Sequence, residues 1–304
     1  MSQTAEIAAD IYGDALYQER ARRALPLLVR QAEAGELIFY GDLAAELGMP
    51  NARNLNYPLG AIGRTLEALS KRWKQAIPPL QCLVVNRQTG LPGEGIGWFL
   101  IRKEDYGRLP LSRRRDIVRA ELGKITAYPH WREVLDALSL PMPVSAAPIE
   151  LLERAGGKGG GESEAHLWLK RHVLSHPEVL GLRPEQTGAM EYRLPSGDCL
   201  DVSFPTPRLW VGVEVKSRLS DDADLLRGLF QCVKYKAVME AMQAVQGETR
   251  SVRAVLVLEG TLPFGLLGAR NVLGVEVVEG VAPPKEKAVA SSQRTPLASR
   301  FEIA

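Results

Sequence analysis

Four residues have the types and order to do chemistry together: Glu164, Asp201, Glu214 and Lys216. The last two stand in VGVEVKSRL with one valine between them. A β-strand alternates faces with period two, so Glu214 and Lys216 point to the same side. Three carboxylates and an amine suit metal-dependent phosphodiester cleavage. The acids hold a divalent cation, while the lysine orients or deprotonates water and balances phosphate charge. Magnesium takes oxygen ligands in octahedral geometry and keeps several waters. The expected ligands of Mg²⁺ or Mn²⁺ are Asp201, Glu214, the backbone carbonyl of Val215 and, from the preceding helix, Glu164.

The elements that must position these residues follow from periodicity. In CLDVSF, Leu200, Val202 and Phe204 alternate with Asp201 and Ser203, which puts Asp201 opposite the apolar face. In the next strand Val211, Val213 and Val215 share one face, and Gly212, Glu214 and Lys216 the other. Pairing of the two strands would let Asp201 and Glu214 converge. The pattern predicts a helix over Ser163 to Ser175, then strands over Ala189 to Leu194, Cys199 to Phe204 and Leu209 to Lys216. A helix over Leu225 to Val245 and strands over Val252 to Glu259 and Val275 to Val278 complete it. This mixed α/β order builds a small central sheet flanked by helices.

Helix acid, strand acid, then acid-x-lysine on the next strand resembles the PD-(D/E)xK nuclease superfamily over roughly Ser163 to Glu259. Gln231 and Tyr235 in QCVKYK match the Q-x-x-x-Y motif of its RecB-like branch, and their i,i+4 spacing places them on one helical face. The resemblance implies that they steady the site or contact the substrate backbone. Leu200 stands where the superfamily pattern has proline.

The first half reads as helices over Gln18 to Glu33, with Pro26 bending or restarting the helix, and over Tyr40 to Leu47, ended by Gly48. A longer helix runs from Asn56, as N-cap, to about Lys74. Its Gly60 and Gly63 call for close packing against another backbone. QCLVVN, RQTGLPG and EGIGWFL read as a β-hairpin. Helices over Ser112 to Leu122 and His130 to Leu138 close this half. Short helix, basic helix and hairpin form the order of a winged helix-turn-helix, whose second helix enters the major groove. Arg64, Lys71, Arg72 and Lys74 are candidate phosphate contacts, and Arg53, Asn54 and Asn56, beside Asn51, candidates for base edges or phosphates. FYGDLAAELGMP, GAIGRTL and IPPLQCLVVNRQTGLPGEG resemble the DNA-binding domain of alkylguanine-DNA alkyltransferases and their alkyltransferase-like relatives. Leu80 follows Pro79 where that family has its nucleophilic cysteine, and Cys82 lacks the adjacent histidine. The resemblance therefore implies duplex binding without alkyl transfer.

Charge agrees with a polyanionic partner. The net charge is +2, but from Asn51 to Leu138 Lys and Arg exceed Asp and Glu by 15 to 8, and from Met1 to Pro50 the balance is 4 to 8. Three widely spaced cysteines argue against a disulfide framework and for a reducing cytoplasm. No apolar run is long enough for a bilayer, and the acidic N-terminus has no signal-peptide core. AGGKGGGES fails the P-loop pattern and reads as linker, and GEGIG reads as a turn. His166, His172 and His176 read as a solvated helix face, and Trp73, Trp98, Trp168 and Trp210 as core or edge packing.

The sequence thus predicts a winged-helix domain over 1–138, a Pro/Gly-rich linker over 139–162 with a helical piece at Glu150 to Arg154, and a nuclease-like α/β domain over 163–280. A disordered tail is expected over 281–304. The expected activity is Mg²⁺- or Mn²⁺-dependent DNA hydrolysis, with double-stranded DNA as partner and a homodimer suited to cutting both strands. Restriction, phage defence or repair are the settings implied by resemblance. A DNA-binding adaptor with a silent nuclease fold is the alternative, and RNA a further substrate class.

Overall fold

The computed structural model describes residues 8–101, 106–156 and 163–281. The chain opens with α1 (Leu16–Ala34), which runs without interruption through Pro26, and ends at Gly35 in the left-handed region, φ 73°. Strand β1 (Ile38–Phe39), α2 (Tyr40–Glu46), a 3-10 turn (Ala52–Leu55) and α3 (Asn56–Trp73) follow. Asn56 is not the cap of α3. Asn51 caps the 3-10 turn by accepting from the Arg53 N–H, and α3 continues directly from it. Lys74 closes α3 at φ 53°. A Cβ on Gly63 would lie 2.4 Å from Gln81 Nε2 and from Phe99 Cζ, so this glycine does serve close packing, against side chains.

The expected hairpin does not form. Leu80–Leu83 is a 3-10 turn, and β2 (Val84–Val85) pairs in parallel with β1, Ile38 opposite Val84. The Asn86 side chain accepts from the Gln88 N–H at 2.8 Å, an Asx turn, and EGIGWFL becomes a 3-10 turn (Glu94–Ile96) followed by α4 (Gly97–Leu100). Ile96, Phe99 and Leu100 carry helical spacing, which outweighs the apolar content that suggested a strand. The hairpin wing that the expected winged helix requires is therefore absent among the described residues. Helices α5 (Leu111–Ala127) and α6 (Trp131–Ala137) complete this half, with one core gathering Leu25, Leu28, Leu43, Ile62, Leu80 and Ile125.

Within the expected linker lies α7 (Ile149–Ala155); most of AGGKGGGES and the tail from Ala282 fall outside the described residues. Next come α8 (Glu164–Ser175), β3 (Ala189–Arg193), β4 (Cys199–Pro205), β5 (Leu209–Lys216), α9 (Asp222–Gln246), β6 (Ser251–Leu258), α10 (Leu267–Val272) and β7 (Glu276–Val278). Only α10 has no counterpart in the sequence reading. The strands form one mixed sheet in chain order, antiparallel from β3 to β5 and parallel from β5 to β7. Leu169 and Val173 of α8 cover one face, against Val202, Val211, Val213, Val255 and Val257. On the other face α9 packs Tyr235 and Met239 onto Leu200 and Trp210, and Leu226 and Leu229 onto Leu256 and Leu258. Helices on both faces explain the almost unbroken apolar run of β6.

The halves meet through polar and charged side chains, with Ala45 of α2 adding an apolar contact to the second half's core. Glu46 of α2 pairs with Arg30 of α1 and accepts from Asn271 Nδ2 at 2.8 Å. Gln31 Nε2 donates to the Asn271 carbonyl at 3.0 Å, and Asp42 takes Arg270 at 3.0 Å and Arg87 at 2.9 Å. A Cβ on Gly268 would come within 2.9 Å of the Ala146 carbonyl oxygen. Removing one partner of a buried ion pair leaves an uncompensated charge. Glu46→Ala is therefore expected to cost about 3 kcal/mol in urea unfolding. Glu46→Gln, which keeps one acceptor oxygen for either Arg30 or Asn271 and fills the same space, should cost less, and equal losses would show that the pair carries no such role.

Candidate active site at the splayed end of the sheet

The β4–β5 ladder runs from Pro205 opposite Trp210 to Val202 opposite Val213 and stops there. Asp201 would be next. Instead its Oδ2 accepts the Val215 N–H at 2.9 Å, so a side chain takes the place of a backbone partner. In an antiparallel strand the N–H and C=O of one residue point the same way. The Val215 carbonyl therefore faces the gap that β4 leaves open.

Strict alternation breaks at the same point. Leu200 packs with Tyr235 and Met239, whereas Val202 and Phe204 pack with Leu169 and Val173. The expectation that Leu200 shares a face with Val202 is corrected by this local twist, which turns Asp201 toward α8. The neighbouring strand shares the distortion: Glu191, between the Met190–Val202 and Tyr192–Leu200 pairs, has φ 55°. A non-glycine residue held in this region costs roughly 1–3 kcal/mol.

β5 alternates as expected. Val211, Val213 and Val215 face α8, while a Cβ on Gly212 would meet Met239 of α9 at 2.9 Å. Glu214 is 4% exposed. Its Oε1 takes Lys216 Nζ at 2.7 Å and its Oε2 lies 2.9 Å from the Tyr235 hydroxyl. Lys216 Nζ also donates to Gln231 Oε1 at 3.2 Å, and Gln231 Nε2 donates to the Tyr235 oxygen at 3.3 Å. Gly228 leaves room for the lysine stem, since a Cβ there would sit 3.1 Å from Lys216 Cε. Gln231 and Tyr235 thus meet the acid-x-lysine pair from α9.

Glu164 is not brought in. It is exposed in the first turn of α8, where Ser163 caps the helix by accepting the His166 N–H. His166 and Lys170, one turn apart, reach Asp201 instead, and Glu164 lies about 200° round the helix from His166. His166 Nε2 is 3.4 Å and Lys170 Nζ 3.0 Å from Asp201 Oδ1. Lys170 also donates to Glu191 at 3.3 Å. Sequence reasoning missed both. Their i,i+4 spacing one helix before the strand acid was the available signal, but His166 had been grouped with His172 and His176. Those two stack on each other at 4.2 Å, away from Asp201's partners.

Burial would raise the Asp201 pKa, but hydrogen bonds from His166 and Val215, with the charges of His166 and Lys170, hold it below the usual range. Glu214 goes the other way. Burial, then the negative charge of Asp201, push it up to about 7, against the opposing pull of Lys216 and Tyr235. Burial and the adjacent Glu214 also raise Tyr235. The phenol has one proton and two acceptors, Glu214 Oε2 and the Cys199 carbonyl at 3.0 Å. A protonated Glu214 can donate to the phenol and free that proton for Cys199.

The charge of Asp201 raises the cost of ionising Glu214, and a cation near both would relieve it. Carboxylate and carbonyl oxygens such as those of Asp201, Glu214 and Val215 are the donors that magnesium or manganese takes. Among the described residues no group of three or more His, Cys, Asp or Glu side chains could hold a metal ion, so a cation here would rest on two carboxylates with backbone and water, and the exposed Glu164 would not be among them.

The candidate nucleic-acid residues form two groups. Arg53, Asn54 and Asn56 are exposed at the start of α3, and Arg72 and Lys74 at its end, about 27 Å away along the axis. Between them Arg64 lies over the Trp98 ring at 5.1 Å, and Lys71 pairs with Glu67 at 3.2 Å. Trp98 is 44% exposed, unlike the buried Trp210. No helix among the described residues is long and apolar enough to cross a membrane. Comparison with models of protein families, with curated proteins and with solved structures returns no match.

The raised Glu214 pKa has a consequence for stability. Between its ordinary value of 4.5 and about 7 the folded chain binds more protons than the unfolded one, so this group's contribution declines as pH rises through that window. In metal-free buffer the wild-type Tm should therefore fall across this interval relative to Glu214→Gln. Parallel curves for the two proteins would remove the assignment.

Proposed function

We propose that the protein is a metal-dependent nuclease that hydrolyses DNA phosphodiester bonds, with its first half contributing duplex contacts. The reading rests on one observation above all: Asp201 accepts the Val215 N–H at the end of the sheet, and the residues on either side of Val215, Glu214 and Lys216, are paired with each other and held by Gln231 and Tyr235. The resemblance to PD-(D/E)xK nucleases supports it, in the RecB-like branch, as does the local basic excess.

In this reading Asp201, Glu214 and the Val215 carbonyl hold Mg²⁺ or Mn²⁺. When bound, the metal supplies Lewis-acid stabilisation of phosphate charge and a more acidic water. The chain's own residues do the rest. Lys216 holds its ammonium at the mouth of the gap, where it offsets charge building on the phosphate and orients the attacking water. Gln231 fixes Lys216 through its carbonyl oxygen and Tyr235 through its amide, so one side chain sets the direction of both. Tyr235 keeps Glu214 turned inward.

A second reading, a DNA-binding adaptor with a silent nuclease fold, draws on a specific feature: a lysine, not a third acid, meets Asp201 from α8. Incubation with linear, circular, single-stranded and RNA substrates, in Mg²⁺, Mn²⁺ or chelator, separates the two. Metal-dependent cutting of DNA that drops at least about 100-fold in Asp201→Asn and Lys216→Ala, with binding retained, is expected. Wild-type protein that binds DNA and cuts nothing with either metal establishes the adaptor.

The α3 surface has its own test. Arg72→Ala and Lys74→Ala should each weaken duplex binding for all sequences alike and reduce the slope of log K against log salt by about 1. Unchanged slopes in both would take the end of α3 out of the interface.

A further inference from the structure

Lys170 and His166 meet Asp201 without a task in the nuclease reading, and Lys170 is the more deeply buried of the two. Lysine is almost never fully buried unless paired, and here its side chain is 8% exposed. It lies against Asp201 Oδ1, the oxygen left over once Oδ2 has taken the Val215 N–H. Glu191 stands on the other side, 60% exposed at its side chain and 3.3 Å from the ammonium. The two acids come from adjacent strands at one level of the sheet, and Glu191 is held there by a left-handed backbone at φ 55°. A solvated strand face would need neither a strained residue nor a buried lysine.

We propose that Lys170 is the resident counter-ion of Asp201 and Glu191 its alternative acceptor, so that a divalent cation enters by displacing the ammonium from Asp201 toward Glu191. This rests on the metal-dependent reading above and assigns the step that controls loading. The swap creates no unpaired charge. Asp201 exchanges an ammonium for a cation, and Lys170 retains a carboxylate partner nearer to water. His166, one turn before Lys170 on α8, stays beside Asp201 Oδ1 and limits how far the carboxylate can turn. A fixed positive charge at 3.0 Å from a ligand oxygen opposes any second cation there. Lys170 therefore sets the metal concentration at which the site fills. It acts through Asp201 and touches no reacting atom, which makes it a positioning residue.

The test uses the full chain without nucleic acid, titrated with MnCl₂ or MgCl₂ in a calorimeter, with the metal-dependent rise in Tm as second readout. Lys170→Met keeps the length of the stem and removes the charge. It is expected to bind Mn²⁺ on the order of tenfold more tightly than wild type, and to recover more Tm on adding metal. Glu191→Gln, which removes the alternative acceptor and leaves Lys170 committed to Asp201, is expected to bind Mn²⁺ more weakly than wild type. The opposite signs of the two variants are the signature, and Glu191→Gln alone carries it should Lys170→Met fail to fold. Mn²⁺ binding by Lys170→Met but not by wild type would support the assignment in its strongest form. Wild-type binding with Lys170→Met equal or weaker, or with Glu191→Gln unchanged, overturns the role of Lys170 and leaves the metal site standing. No Mn²⁺ binding by either wild type or Lys170→Met overturns the metal reading itself.

Discussion

The hydrogen bond from the Val215 N–H to Asp201 is the contact on which the candidate site depends. A sheet that continued its ladder past Val202–Val213 would have paired backbone with backbone and sent the Asp201 side chain to whichever face the period dictated. By accepting the N–H itself, the carboxylate ends the ladder, satisfies a buried donor that would otherwise cost a full desolvation penalty, and lets β4 diverge. The gap, the direction of the Val215 carbonyl and the turn of Asp201 toward α8 are one event. Glu214, one residue earlier on β5, is then left on the α9 side of the same opening.

The charges around that opening interlock. Asp201 is held low by donors, Glu214 is held high by burial and by Asp201, and each acid has a lysine within 3.0 Å. Two buried acids with one buried and one half-buried lysine are a balanced set, and leaving either acid unpaired would cost several kcal/mol. The set is also asymmetric. Lys216 is fixed by Gln231 from a rigid helix face, whereas Lys170 shares its ammonium with an acid at the edge of solvent.

What was legible in the sequence was what period and composition encode. β5 could be placed end to end because Val211, Val213 and Val215 alternate without exception, and α9 because its polar motif residues sit at helical spacing. The failures have equally definite causes. Asp201 was assigned by alternation through a residue that breaks alternation, and no period reports a side chain that replaces a ladder bond. Glu164 was chosen as the helix acid by order in the chain, while helix phase gave the contact to His166 and Lys170. EGIGWFL was read as a strand from its content, although Ile96, Phe99 and Leu100 already carried the helical period. The superfamily resemblance named Glu164, Asp201, Glu214, Lys216, Gln231 and Tyr235; the fold joins Glu214, Lys216, Gln231 and Tyr235 by hydrogen bonds, brings Asp201 to the Val215 N–H and leaves Glu164 exposed. It could not name Lys170, which no part of the motif contains.

The docking of the two halves obeys the same electrostatic logic at larger scale. Between α2 and α10 Glu46 accepts from Asn271 and Asp42 pairs with Arg270, while Arg30 and Arg87 of the first half hold the same two acids and Ala45 adds an apolar contact. Buried ion pairs return little net stability against apolar packing, because desolvation offsets most of their attraction. They are demanding of geometry, however. Asp42 divides its two oxygens between an arginine from each half, and Asn271 offers its amide to Glu46 and its carbonyl to Gln31. A slide of one half by a few ångströms would break these bonds and strand buried charge, where an oily contact would merely repack. The network therefore fixes α1 and α2 against α10.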